Sequence, residues 1–156
     1  MAEPGGRKLI TQNRRARHEY EILDTVEAGL VLVGPEVKSL RDGRANLSDA
    51  YAAIRGREAW LVNAHISPYP QAARENPDPR RERKLLLHRA EIARLAGQVA
   101  ERGLTLVPLS LYFKAGRAKV ELALARGKRT HDKREAIQRR EQEREIERAM
   151  RRGRRG

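Results

Sequence analysis

The sequence predicts a mainly β protein: an antiparallel barrel of the oligonucleotide/oligosaccharide-binding (OB) type, with about three helices and a basic C-terminal tail. Three observations predict it. Short alternating or β-branched runs recur between turn signals, helical spacing is confined to a few stretches, and thirteen Lys/Arg against six Asp/Glu crowd residues 126–156. Residues 1–12 read as a flexible N-terminus, 13–125 as the barrel and 126–156 as the tail.

In chain order, Asn13-Arg14-Arg15-Ala16-Arg17 forms a basic knot ahead of the first strand signal. His18 to Ile22 alternates with period two, and Leu30 to Val33 is a β-branched run closed by Gly34-Pro35, giving two successive strands with Glu27-Ala28-Gly29 near the hairpin between them. Glu36 to Arg41 suits a short helix, with Pro35 in its first turn and Gly43 just past its end. Tyr51–Ile54 and Ala59–Val62 flank Arg55-Gly56-Arg57-Glu58 as a hairpin. The four prolines of residues 68–81 mark a long surface loop. Ile92, Leu95, Ala96 and Val99 set a helix over 89–102, opened by a His88/Glu91 capping box and closed by Gly103. Leu104–Phe113 and Arg117–Ala125 are strands. In the second, Val120, Leu122 and Leu124 point inward and Lys119, Glu121 and Ala123 outward; in the first, Pro108 demands a bulge or an edge.

The charge balance selects the partner. The chain carries +13, of which 126–156 hold +7, and the body keeps 21 basic against 15 acidic residues. Positive charge spread this widely points to a polyanion. No apolar stretch is long enough to span a bilayer and the tail lacks an interfacial apolar face, so nucleic acid is favoured over membrane. The absence of cysteine removes disulfides, thiolate metal sites and thiol catalysis, and the N-terminus shows no signal region, which together predict an intracellular protein. Four scattered histidines suggest neither a metal site nor an acid/base pair, so no cofactor and no enzymatic activity are expected.

RNA is gripped by basic grooves and by flat side chains that stack on bases. Strand periodicity assigns most of Tyr20, Tyr51, Trp60, Tyr69, Tyr112 and Phe113 to the core, which favours recognition of shape and phosphate over a row of stacked bases. Arg80-Arg81-Glu82-Arg83-Lys84 sets cations at the rim of Leu85-Leu86-Leu87, of which Leu86 is the candidate for exposure. Glu27 offers a carboxylate to a base edge or ribose hydroxyl, while Glu36 and Lys38 read as a surface helix pair. In the tail, Arg140, Arg144, Arg148 and Arg152 recur every four residues, so a helix aligns them on one ridge. Like charges at that spacing disfavour the helix alone, and a phosphate wall favours it.

These residues resemble a known family. Asn13 to Tyr20, Glu27-Ala28-Gly29, Glu36 to Arg41, Ala45-Asn46-Leu47, His65 to Tyr69, Arg83 to His88, Leu109 to Phe113, and Gly127-Lys128-Arg129 followed by His131-Asp132-Lys133-Arg134 stand in the order of the SmpB family of SsrA-binding proteins. The resemblance implies an OB-like barrel that binds the tRNA-like domain of transfer-messenger RNA (tmRNA), with contacts at Asn13, Arg14, Arg15, Glu27, Lys38, Arg83, Lys84 and Leu86. It implies that protein and RNA together mimic a tRNA, the protein standing in for the anticodon arm. The tail would probe the decoding centre and empty messenger channel of small-subunit rRNA through Gly127, Lys128, Arg129, His131, Asp132, Lys133, Arg134, Arg140, Arg144 and Arg148, with His131 stacked on a base. Elongation factor Tu with GTP and alanyl-tRNA synthetase are the implied company of a monomer in the bacterial cytoplasm. Pro35 departs from the family's usual Thr or bulky residue, and the Arg/Gly-rich end from Ala149 lacks an apolar pair found in some relatives. A generic RNA chaperone or ribosomal protein is the second reading. A small nuclease using His65, His88 or His131 is the third.

Overall fold

The computed structural model describes residues 2–3, 6–128 and 144–150. The strands are β1 (Ala2–Glu3), β2 (Arg7–Gln12), β3 (Tyr20–Leu30), β4 (Ala45–Asn46), β5 (Tyr51–Arg55), β6 (Glu58–Val62), β7 (His65–Ile66), β8 (Arg83–Leu86), β9 (Thr105–Lys114) and β10 (Arg117–Gly127). The helices are α1 (Arg14–Glu19), α2 (Gly34–Arg41) and α3 (Arg89–Arg102), with a 3-10 segment at Pro70–Glu75 and a helical stretch, α4, over 144–150. Strand order β9-β10-β3-β8-β6-β5 closes on itself through Ala52 opposite Leu106, so six strands make the barrel and β2 is added along the outer half of β9.

The interior follows from alternation. Val120 and Leu122 are fully buried and Leu124 nearly so, joined by Leu61, Leu85, Leu106 and Leu111. Ala123, expected to face solvent, is also fully buried: with Ala125, Val107 and Leu109 it forms a second small cluster on the outer face, covered by Ala16 of α1. Small residues there let the helix lie close to the sheet.

Pro108 marks the place where β9 changes partner. Before it, Leu106 pairs with β5; after it, Ser110 to Lys114 pair with β2; and opposite β10 the register slips between Glu121 and Leu122, leaving Leu109 as the extra residue. Asn13 fills this seam. Its N–H donates to the Leu109 carbonyl (2.7 Å), its Nδ2 to the carbonyls of Pro108 (2.9 Å) and Leu47 (3.0 Å), and its Oδ1 accepts from Ala16 N–H as the N-cap of α1 (3.1 Å). Asn13→Ala removes the side-chain donor to the Pro108 carbonyl, leaves the Leu47 carbonyl with only the Ala50 N–H and removes the cap, so a destabilisation of about 2–3 kcal/mol is expected in urea unfolding. A loss below about 0.5 kcal/mol would show that water replaces the amide.

Several expectations need correction. Arg7–Gln12, placed in a flexible N-terminus, are a sheet strand, and the basic knot is a capped helix. The two strands expected over residues 18–33 are one, Tyr20–Leu30, laddered along β10 from Gly127 to Lys119, and no hairpin lies at Glu27-Ala28-Gly29. Gly29 serves another purpose: a Cβ there would stand 3.2 Å from the Leu86 Cβ, so glycine permits the close approach of β8. Val31 and Val33 lie beyond the strand, exposed. Aromatics are not mainly core. Only Tyr112 is buried, Tyr51 is exposed and the other four are half-buried, because leucine and alanine fill the interior. The hairpin of residues 51–62, α2, α3 with its left-handed Gly103, and the two long strands lie where alternation and capping put them.

Candidate nucleic-acid interface

Alternation along β8 sorts the residues of the cationic rim. Arg83 and Leu85 point inward, Lys84 and Leu86 outward, and Leu86 is 54% exposed. Because Leu86 stands opposite Gly29 of β3, Glu27 lies diagonally across the same outer face. Lys84, Leu86 and Glu27 therefore share one surface.

Glu27 is 30% exposed and its oxygens are engaged. It accepts from the Tyr112 hydroxyl, and Lys114 Nζ and Arg7 Nη2 each lie 3.5 Å away. The Tyr112 hydrogen bond holds its carboxyl below the usual range against the opposing effect of burial, with Lys114 and Arg7 adding to the lowering. The group is thus ionised at neutral pH. In turn, burial and then the Glu27 bond push the Tyr112 phenol up. Arg7 stacks 4.5 Å above the Tyr112 ring and reaches Glu121 (3.5 Å), which pairs with Glu27 across β3 and β10; Arg17 also reaches Glu121 (3.8 Å). A string of alternating charge runs from α1 to Glu27. Sequence reasoning missed Arg7, Tyr112 and Lys114, whose nearness to Glu27 depends on the β2–β9–β10–β3 order.

Two expected RNA contacts are structural. Arg83 is fully buried: its Nε donates to Glu36 (2.6 Å), Nη1 to the Ala64 carbonyl (2.7 Å) and Nη2 to the Pro79 carbonyl (3.0 Å). No RNA can reach it. Glu36, read as a surface partner of Lys38, is 2% exposed and also holds Arg81. Alternation was the available signal, since Arg83 has the parity of Leu85. Asn13 is likewise buried in the β9 seam. The rest of the cluster is paired: Arg80 with Asn63 and Asp49, Arg55 with Glu82, and Lys84 with Glu58 at 3.6 Å across exposed surface. Of the five residues 80–84, Lys84 is the cation that faces outward beside Leu86.

Arg14 is exposed, and Arg15 joins Glu19 and Asp49 (3.0 and 3.1 Å) at a cleft of about 570 Å3 lined also by Tyr20 and Tyr51. Lys38 is exposed on α2, 5.5 Å from the Tyr69 ring centre. These residues are not gathered at Leu86. Gly127 ends β10 opposite Tyr20, and Lys128 follows it, exposed. Arg129, His131, Asp132, Lys133, Arg134 and Arg140 lie outside the described residues. Arg144 and Arg148 are exposed on α4, one turn apart. Among the described residues there is no cluster suited to a metal ion and no helix long and apolar enough to cross a membrane.

What such an outer surface can hold is a polyanion, and on a closed six-stranded barrel this sets the chain among OB-type nucleic-acid-binding proteins. Comparison narrows the class. The family model for SmpB protein matches residues 10–152. An SsrA-binding protein from Saccharopolyspora erythraea is 58% identical over all of this chain and 99% of its own, and one from Desulforudis audaxviator is 62% identical over 92% and 94%. A solved structure described as "tmRNA-SmpB: a journey to the center of the bacterial ribosome" superposes with a TM-score of 0.65 at 55% identity, covering 76% of this chain and 83% of that one. The chain belongs to the SmpB family.

Proposed function

We propose that this protein binds tmRNA and delivers it to stalled bacterial ribosomes for rescue by trans-translation. The observation that carries the reading is the outer face on which the exposed Leu86 stands between Lys84 and the ionised Glu27 in a chain of charge +13. Leu86 offers an apolar contact to an unstacked base or ribose, Glu27 an acceptor for a 2′-hydroxyl or amino group, and the surrounding cations engage phosphate. Membership of the family and the likeness to a solved tmRNA–SmpB structure support it. The protein acts without chemistry of its own, as a monomer in the bacterial cytoplasm. Its barrel grips the tRNA-like domain and replaces the anticodon arm, while the tail from Gly127 onward probes the decoding centre and vacant messenger path. Elongation factor Tu with GTP carries the alanylated complex to the ribosome.

Binding of the tRNA-like domain should weaken along a straight line in log affinity against log salt, by about 0.7–0.9 per phosphate contact. A flat response would remove the phosphate-dominated grip. Leu86→Ala should weaken binding without changing that slope, because it removes no charge. Equal competition by ordinary tRNA would favour a generic RNA chaperone instead, and cleavage of labelled RNA by the pure protein would favour a nuclease.

A further inference from the structure

Beyond the end of β8, between the β5–β6 turn and α3, lies a cleft of about 310 Å3 lined by Gly56, Arg57, Arg89, Ile92, Ala93 and Ala96. Register brings its two walls together. Ala59 pairs with Leu85 and Trp60 with Lys84, so the β5–β6 turn at Gly56 falls beside the link from β8 to α3. Gly56 takes a left-handed φ of +63°, which glycine adopts without strain, and Arg57 follows it exposed at the turn. Arg89, also exposed, opens α3 on the other wall.

The charge state of this cleft differs from that of its surroundings. Arg55 is tied to Glu82 and Lys84 to Glu58, whereas among the described residues neither Arg57 nor Arg89 is in an ion pair, and the lining contains no acid. Beneath them Ile92, Ala93 and Ala96 form an apolar floor. Two guanidinium forks over such a floor match a nucleic-acid strand, the forks taking phosphate oxygens and the floor a ribose or base face. We infer that this cleft extends the RNA interface beyond Leu86, with Arg57 and Arg89 binding backbone phosphates of the RNA held at Lys84 and Leu86. The inference rests on the tmRNA-binding reading above. A short acidic protein segment would meet the same forks, but the chain runs from Lys84 and Leu86 directly into Arg89 at the start of α3, and that succession suits an extended polyanion better.

The test titrates the full chain with the tRNA-like domain of tmRNA across a salt series. The double variant Arg57→Gln/Arg89→Gln should bind about tenfold more weakly, and its log–log salt slope should shrink by about 1.5, two contacts at about 0.7–0.9 each. Lysines at both positions should restore the slope, because they keep the charge. Arg102→Gln, at the far end of α3, should leave it unchanged. A double variant no different from Arg102→Gln would overturn the inference while leaving the tmRNA reading standing. So would unchanged RNA affinity with impaired tagging on ribosomes, which would point to a protein occupant. A wild-type chain that does not bind the RNA would remove the reading and the inference together.

Discussion

Arg83→Met is expected to destabilise the fold by about 3–5 kcal/mol at neutral pH, a large part of a small domain's total stability. The guanidinium is fully buried, and without it the Glu36 carboxylate, 2% exposed, keeps only Arg81 and the Val33 N–H, while the Ala64 carbonyl loses its Arg83 donor and the Pro79 carbonyl keeps only the Ile66 N–H. The double variant Glu36→Gln/Arg83→Met leaves no fully buried charge, Arg81 being 29% exposed, and should be less damaged than Arg83→Met alone, a coupling that a double-mutant cycle measures. In the wild type, burial pushes the Glu36 carboxyl up, but hydrogen bonds from Arg81, Val33 N–H and Arg83, with the Arg83 charge, outweigh it and hold the group below its ordinary 4.5. A depressed carboxylate contributes stability above the unfolded-state pKa, and that contribution is lost as pH falls through the folded value. In Arg83→Met burial dominates, so acid relieves a stranded charge. The gap between wild type and variant should therefore begin to narrow above pH 4.5, as the variant's raised carboxyl takes up its proton, and go on narrowing below 4.5, as the wild type loses its depressed one. Urea midpoints separated equally at neutral and acid pH would show that the cost lies in packing, not charge.

The same pair shows where the sequence was legible. Alternation in β9 and β10, the Gly56 turn and the caps of α3 are local, and each depends on residues a few positions apart. The partnership of Glu36 with Arg83 spans 47 positions and exists because the fold brings α2 against the inward side of β8. Charge alone argues for the surface, whereas the parity of Arg83 with Leu85 points inward. Arg7 was lost to the same non-locality, since a strand that completes the outer half of β9 carries no strong periodicity of its own. The outward Leu86 was legible because three consecutive apolar residues cannot all face one way in a strand. Resemblance puts Asn13 at an RNA contact, whereas in the structure it joins β9, α1 and Leu47.

Truncation after Lys128 should leave binding of the tRNA-like domain nearly intact and abolish peptide tagging on stalled ribosomes. The fold supplies the cut point: β10 ends at Gly127 opposite Tyr20, so the truncation removes no barrel strand. Residues 129–156 contain eleven Lys/Arg and six Asp/Glu, a net +5, and the lost binding should be the salt-sensitive, sequence-independent part that such charge confers. Over 144–150 the chain is helical with every residue exposed, and Arg144 and Arg148 stand one turn apart. Each like-charge pair at that spacing costs an isolated helix about 0.2–0.5 kcal/mol, which phosphates along a ribosomal RNA wall would neutralise. An occupied messenger path would oppose the tail by volume and charge together. Arg144→Glu/Arg148→Glu separates the two, because it keeps the tail's length while taking the ridge of Arg140, Arg144, Arg148 and Arg152 from +4 to zero. If charge matters, this variant should bind tmRNA almost as wild type yet tag poorly, with the defect deepening at low salt, where repulsion from RNA is least screened. Full tagging by the truncated chain would sink the division of labour between barrel and tail. Loss of tmRNA binding on truncation would instead place the tail within the RNA grip.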